Sequence, residues 1–177
     1  WAAAHSGVGD GETRMIKEVA GVMIQPKHRA SCHCGAVVLE LDLPDGIVDP
    51  RRCDCSICRR KGAVVASVPL SGIRIVQGEE HLTLYRFNTH TATHYFCARC
   101  GIYTHHQRRS NPNQYGVNVA CLEGISPFDF DEVPVSDGIA HLLFAVTKEA
   151  ICNVGGEMLV LAEQLEQSPS VVNGRVA

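Results

Sequence analysis

The chain has no apolar run near the roughly 20 residues that a membrane-spanning helix needs. Its longest, Val19–Ile24 and Ile139–Val146, are core-sized. It also lacks a strong charge of either sign. Sixteen Lys and Arg against 19 Asp and Glu leave a net −3, which gives no global reason to expect nucleic acid or an anionic membrane as partner. No charged-then-apolar leader with a small-residue cleavage site opens it, and no repeat of solenoid length runs through it. Regular strand–helix alternation is missing too, which argues against a parallel sheet. Nine cysteines is an odd number, so they cannot all pair within the chain. Without a secretory context, close cysteine pairs read as metal ligands rather than bridges. The expected setting is reducing and cytoplasmic.

At 177 residues, 45% apolar and 20% charged, the composition is that of one soluble domain with a real core. Residues 1–23 are read as an N-terminal extension. Trp1–Arg14, rich in Ala and Gly, reads as a cloning remnant or an unstructured lead-in, with Met15 or Met23 as the natural start. Residues 24–167 form the expected domain, and 168–177 a frayed tail.

Strand signals dominate. In Ala36–Leu43, Val37, Leu39, Leu41 and Leu43 share one face, and Glu40 and Asp42 the other. Pro44-Asp45-Gly46 then turns the chain. Ala63–Pro69 reads as a strand buried on both faces. Ile73–Val76 and His81–Phe87 are joined by a turn at Gln77-Gly78-Glu79. Thr91–Phe96 and Gly101–His106 flank a cysteine knuckle, and Tyr115–Ala120 is a further strand. Ser56 is positioned to cap a short helical turn over Ile57–Lys61 that ends at Gly62, with its basic residues at the favourable end of the dipole. Glu157–Gln167 is a longer helical candidate whose apolar stripe (Met158, Leu161, Ala162, Leu165) suits docking on the sheet. The fold class that follows is mainly β, with short antiparallel strands, metal knuckles in the connections and few short helices.

Seven cysteines form three clusters: Cys32-His33-Cys34, Cys53-Asp54-Cys55-Ser56-Ile57-Cys58 and Cys97-Ala98-Arg99-Cys100. They divide into four ligands plus three. Two knuckles, each followed by glycine (Gly35, Gly101), suit a closed zinc–tetrathiolate at Cys32, Cys34, Cys97 and Cys100. That site would staple the start of the domain to its middle. Cys53, Cys55 and Cys58 are all local and make three ligands. Their fourth position could be water, a substrate, or one of His33, His94, His105, His106 and Cys121. Closed zinc sites are structural and open ones catalytic, so the fourth ligand decides the function. A three-thiolate zinc is a weak Lewis acid, less suited to activating water than to holding an exogenous thiol as thiolate. Arg51, Arg52, Arg59, Arg60 and Lys61 bracket this cluster, opposed locally by Asp54. They suit the carboxylates of a small acidic thiol, with a solvated basic edge as the plain alternative.

Of the remaining residues, Cys121 and Cys152 read as small buried apolar side chains. His105 and His106 are adjacent on a strand, so one at most easily faces the middle cluster. Tyr95, Phe96 and Tyr103 read as core packing near the four-cysteine site. Asp129–Glu132 reads as a solvated acidic loop.

Cys32–Val37 (CHCGAV), Cys53–Gly62 (CDCSICRRKG) and His94–Gly101 (HYFCARCG) resemble the glutathione-dependent formaldehyde-activating enzyme family, as do Val117–Leu122 and Asp137-Gly138. The resemblance covers roughly residues 30–140. It implies twisted antiparallel sheets of the Mss4-like type and a structural zinc at Cys32, Cys34, Cys97 and Cys100. It further implies a catalytic zinc at Cys53, Cys55 and Cys58. The implied reaction is condensation of glutathione with formaldehyde to S-hydroxymethylglutathione, a carbon–sulfur lyase activity. Arg59, Arg60 and Lys61 are the candidate substrate-binding residues beside it. Two rivals stand: a non-catalytic zinc module that binds a protein, and nucleic-acid contact through Arg51–Lys61, which the acidic overall balance disfavours.

Overall fold

A computed structural model describes residues 13–139. The helical candidate Glu157–Gln167, the rest of the Ile139–Val146 run, Cys152 and the tail lie outside the described residues.

The strands follow in chain order: β1 (Met15–Ile16), β2 (Glu18–Val19), β3 (Val22–Met23), β4 (Lys27–Ser31), β5 (Val38–Asp42) and β6 (Ile47–Cys53). After a short helix α1 (Cys58–Lys61) come β7 (Val65–Pro69), β8 (Ile73–Gln77), β9 (Leu82–Tyr85), β10 (Thr93–Cys97), β11 (Tyr103–Gln107), β12 (Gln114–Asn118) and β13 (Val135–Ser136). The main sheet runs β1-β6-β7-β12-β11-β10-β9, with β13 added on β6. A smaller sheet is ordered β4-β5-β8, and β2 and β3 pair as a hairpin. Apart from the parallel β13–β6 pair, the pairings among the described residues are antiparallel. The expected mainly β, antiparallel class is what forms.

The alternation read in Ala36–Leu43 explains the smaller sheet. Val37, Leu39, Leu41 and Leu43 are buried, while Glu40 and Asp42 are half-exposed. They pack with Ile47, Ala66, Val68, Val117 and Val119 in one core. Each such side chain contributes roughly 1.5–3 kcal/mol by leaving water. β7 is buried on both faces, as its run of small and β-branched residues requires, and lies between β6 and β12.

Four features differ from the sequence reading. Residues 15–23, set apart as extension, are built into the body: Met15 and Ile16 pair with Val48 and Ile47, and Val19 enters the core. β4, with sequence KHRAS, looks too polar for a strand, yet it buries His28 and Ala30 on alternate positions. β6 contains Pro50, which normally argues against an interior strand. Here the proline sits in a register irregularity between Val48 and Arg51, beside Asp49 at φ 47°. Finally, β8 and β9 are joined by the expected turn at Gly78 (φ 79°) but pair in different sheets.

Register places two kinds of residue on the two faces of the main sheet. Tyr95, His105, Val117 and Ala66 are aligned across neighbouring strands and belong to one face. Tyr85, His94, His106, Gly116 and Ser67 form the row on the other. The first row meets the core. The second is polar.

Candidate active site

The four-cysteine group assembles as expected. The sulfurs of Cys32, Cys34, Cys97 and Cys100 all lie within 4.8 Å of one another. Cys32 to Cys34 is 3.6 Å and Cys34 to Cys97 is 3.8 Å. A tetrahedron with metal–sulfur bonds of about 2.3 Å has edges of about 3.8 Å, so the donor set fits a closed thiolate site. All four are free thiols. Gly35 (φ 72°) and Gly101 (φ 73°) turn back on Cys32 and Cys97, donating to their carbonyls at 3.0 and 2.8 Å. Space around both positions is open, so the left-handed backbone, not crowding, is what selects glycine. Burial pushes the Cys97 thiol up to about 11. Burial also works against the Cys100 thiolate, but the amides of Ile102 and Cys34 and the neighbouring thiols outweigh it and bring Cys100 down to about 6.

The second group is Cys53, Cys55 and Cys58, again with all sulfurs within 4.8 Å. Among the described residues, no fourth His, Cys, Asp or Glu offers a ligand atom within that distance of all three. The five alternatives for the fourth ligand are therefore elsewhere. His33 is exposed in its knuckle, and His105 is on the opposite face of the sheet, stacked on Tyr95 at 4.4 Å. Cys121 is buried, as expected, and its sulfur donates to the Tyr103 carbonyl at 3.7 Å. His94 and His106 lie on the nearer face, where His94 Nδ1 meets Lys61 and His106 Nδ1 meets the Tyr103 hydroxyl.

The loop that holds the triad is shaped locally. Ser56 is exposed and makes no side-chain cap on α1. The amides of Ile57 and Cys58 are directed at the Cys55 sulfur instead. Hydrogen bonds from Cys53 and Cys58, then these amides, hold Cys55 far below the usual thiol range. The same thiol contacts and burial push Cys53 and Cys58 up. Gly62 (φ 63°) closes the helix as expected by donating to the Cys58 carbonyl at 3.0 Å. β13 clips the loop from outside. Arg52 donates to the Pro134 carbonyl at 2.9 Å, Asp54 to the Ser136 carbonyl at 3.3 Å, and Gly138 to the Asp54 carboxylate at 2.6 Å.

The basic residues separate by direction. Arg59 and Arg60 are exposed, and Arg60 donates to the Ser56 carbonyl at 2.6 Å. Lys61 turns inward. Its Nζ lies 3.6 Å from the centre of the Tyr103 ring and 3.3 Å from His94 Nδ1. Burial lowers its pKa, while the three cysteines favour its charge. Tyr103, expected near the four-cysteine site, thus belongs beside the triad; its hydroxyl bonds His106 and donates to the Gly116 carbonyl at 3.1 Å. The His94 and His106 rings stack at 5.1 Å. A β-carbon on Gly116 would lie 2.4 Å from the His106 ring, so glycine makes room for the stack. Burial, then the charge of Lys61, holds His94 down at about 4. His94 Nε2 is buried with no partner in the described residues. The Lys61–Tyr103–His106–Gly116 cluster escapes a sequence reading because its members come from α1, β11 and β12, which are far apart in the chain. Only the Lys61 charge beside the cysteines hinted at it.

No helix among the described residues is long and apolar enough to cross a membrane. A solved structure of a Rhodobacter sphaeroides protein is similar, with 61% sequence identity, a TM-score of 0.59, and coverage of 61% of this chain and 99% of that one. The family profile described as glutathione-dependent formaldehyde-activating enzyme matches residues 27–132, a stretch that carries all seven clustered cysteines and both knuckle glycines. On that match the chain belongs to the glutathione-dependent formaldehyde-activating enzyme family.

Proposed function

We propose that this protein is a zinc-dependent carbon–sulfur lyase that condenses glutathione, or a similar acidic thiol, with formaldehyde or another small aldehyde to an S-hydroxymethyl adduct. The observation that carries the reading is the incomplete triad: Cys53, Cys55 and Cys58 converge within 4.8 Å with no fourth described ligand completing the set. Cys53, Cys55 and Cys58 would hold a zinc ion, which would supply a site for an incoming thiol as thiolate at neutral pH. The four-cysteine group, closed by its own side chains, has the structural role.

The chain's own residues prepare that site. Cys53, Cys55 and Cys58 are the proposed catalytic ligands. The Lys61 ammonium, fixed by Tyr103 and His94, offsets the negative charge of the clustered sulfurs. Arg59 and Arg60, exposed at the end of α1, supply a positive approach for an acidic thiol. Asp54 fixes the loop against Gly138. Free thiols at every described cysteine suit a reducing compartment, and the cytoplasm is the proposed location. Contact with nucleic acid gains no support. Arg52 is taken up by the Gly62 carbonyl, and the net charge of −3 gives no general attraction for a polyanion.

The test is zinc stoichiometry together with zinc-edge X-ray absorption, with and without glutathione. The expected result is two zinc ions per chain and a rise from three to four sulfur neighbours at one of them. Formation of S-hydroxymethylglutathione, followed by NMR, is expected alongside. An unchanged sulfur count with no adduct would remove the enzyme reading.

A further inference from the structure

Arg51 precedes Cys53 by two positions on β6. Alternate strand residues share a face and stand about 6.6 Å apart. Arg51 donates through Nη1 to the Asp49 carbonyl at 2.8 Å and through Nη2 to Ser67 Oγ at 3.1 Å. Arg108, just beyond β11, donates through Nη1 to the same Ser67 oxygen at 3.1 Å. It also reaches Gln114 Oε1 at 2.6 Å and, through Nη2, Ser110 Oγ at 3.3 Å. Two bonds of 3.1 Å to one oxygen hold the two donating nitrogens within about 6 Å of each other.

This is an unusual place for two cations. Both arginines are half-buried, and Ser67 is buried. Among the described residues, the ion pairs within 4.0 Å involve Lys27, Arg29, Arg74 and His81, and neither of these arginines. Asp49 is the nearby acid: its single charge favours both guanidinium groups without an ion pair to either, and its carboxylate also accepts the Arg14 amide at 3.1 Å. Burial, and after it the charge of Arg51, holds Arg108 down at about 10. Half-buried like charges held together repel, and a chain that retains them gains when an anion joins them. Arg51 lies close enough to Cys53 to feel its charge, and the tripeptide thiol of the proposed reaction carries its carboxylates at its two ends, several bonds from its sulfur, so that one can reach the arginine pair while the sulfur is at the triad.

We infer that Arg51 and Arg108, bridged by Ser67, form the carboxylate-binding subsite for the acidic thiol. The inference rests on the proposed function for the identity of the ligand, not for the existence of an anion site. It assigns recognition to a pair brought together from β6 and the end of β11, and leaves exposed Arg59 and Arg60 the outer field.

The test uses the full chain loaded with zinc. In condensation with formaldehyde, Arg108→Gln should raise KM for glutathione by about 10- to 100-fold, the usual loss for a charged hydrogen bond. KM for 2-mercaptoethanol, which has no carboxylate, should change less than about twofold. Arg108→Lys should recover part of the loss. Equal changes for both thiols would mark a merely structural role and overturn the subsite, as would an unchanged KM for glutathione. Calorimetry with S-methylglutathione, whose sulfur cannot form a thiolate, separates this inference from the proposed reaction. Binding to the wild type that weakens at least tenfold in Arg108→Gln supports the subsite even if no condensation occurs with any thiol. No binding at millimolar concentration, or equal binding by both proteins, overturns it even if condensation is observed.

Discussion

Gly138 lies directly against Cys53: a β-carbon on the glycine would stand 2.5 Å from the cysteine sulfur and 2.6 Å from Cys55 Cβ. Its amide is bonded to Asp54 between those two cysteines. The segment around β13 therefore seats the three-cysteine loop from a position 84 residues away along the chain. Gly138→Ala should displace that loop and weaken metal binding at the triad by at least tenfold, while the four-cysteine site keeps its metal. Cobalt substitution with thiolate-to-metal absorption, titrated by a chelator, would resolve the two sites. Two equally tight sites in the variant would show that the contact is slack.

The two cysteine groups should fail differently. Cys32 and Cys97 are almost fully buried and tie the connection after β4 to the knuckle between β10 and β11. Loss of one ligand there exposes the fold to most of the metal's contribution, which is several kcal/mol. Cys97→Ser should lower the thermal midpoint by more than about 10 °C. Cys55, half-buried on a local loop, should tolerate Ser with a shift of only a few degrees while activity disappears. Thermal denaturation beside an adduct assay distinguishes the two, and equal destabilisation would contradict the division of roles.

Lys61 faces the three sulfurs and is held over Tyr103. Lys61→Met keeps the apolar stem and removes the charge. Metal affinity at the triad should fall by roughly tenfold or more, since a unit charge a few ångströms away at moderate dielectric is worth over 1 kcal/mol. Competition against a zinc chelator measures it, and an affinity within twofold of wild type would place the counter-charge elsewhere.

Acid should weaken the fold partly through His105. Burial holds its folded pKa at about 4, against an ordinary value near 6.5. The unfolded chain therefore binds a proton first as pH falls. This contribution is complete above pH 6.5 and is lost as pH drops toward 4. The slope in that window is at most about 1.4 kcal/mol per pH unit. Urea unfolding between pH 4.5 and 7 should show a shallower pH dependence in His105→Gln than in wild type. Thiolate protonation at the metal sites is common to both proteins and cancels in the comparison. Parallel curves would mean that His105 takes up its proton without unfolding.

Legibility followed the range of the interactions. The alternation in Ala36–Leu43, the apolar run at Ala63–Pro69 and the knuckle between β10 and β11 were readable because burial in strands follows a period of two. β4 and β6 were not, because a polar strand and a proline at a bulge acquire their conformation from neighbours. The Ser56 cap fails for a local reason: α1 begins one residue later, with Ile57 at the cap position, and the Arg59 amide is bonded to the Cys55 carbonyl at 3.1 Å. Tyr103 was misplaced because its face depends on a register shift at Tyr95/Phe96 that no local pattern announces.

By itself, the amino-acid sequence determined the two cysteine groups, their count of four and three, and the glycines whose left-handed backbone closes each knuckle. Those are properties of residues a few bonds apart, where geometry leaves little choice. Tertiary structure alone decided which residues surround the three sulfurs: Gly138 against Cys53, Lys61 over Tyr103, and Arg51 beside Arg108. These neighbours come from β6, α1, β11 and the segments that follow β11 and β13, and they meet only when strands distant in the chain pair in register, because a sheet sets side chains together by alignment across strands rather than by order along them.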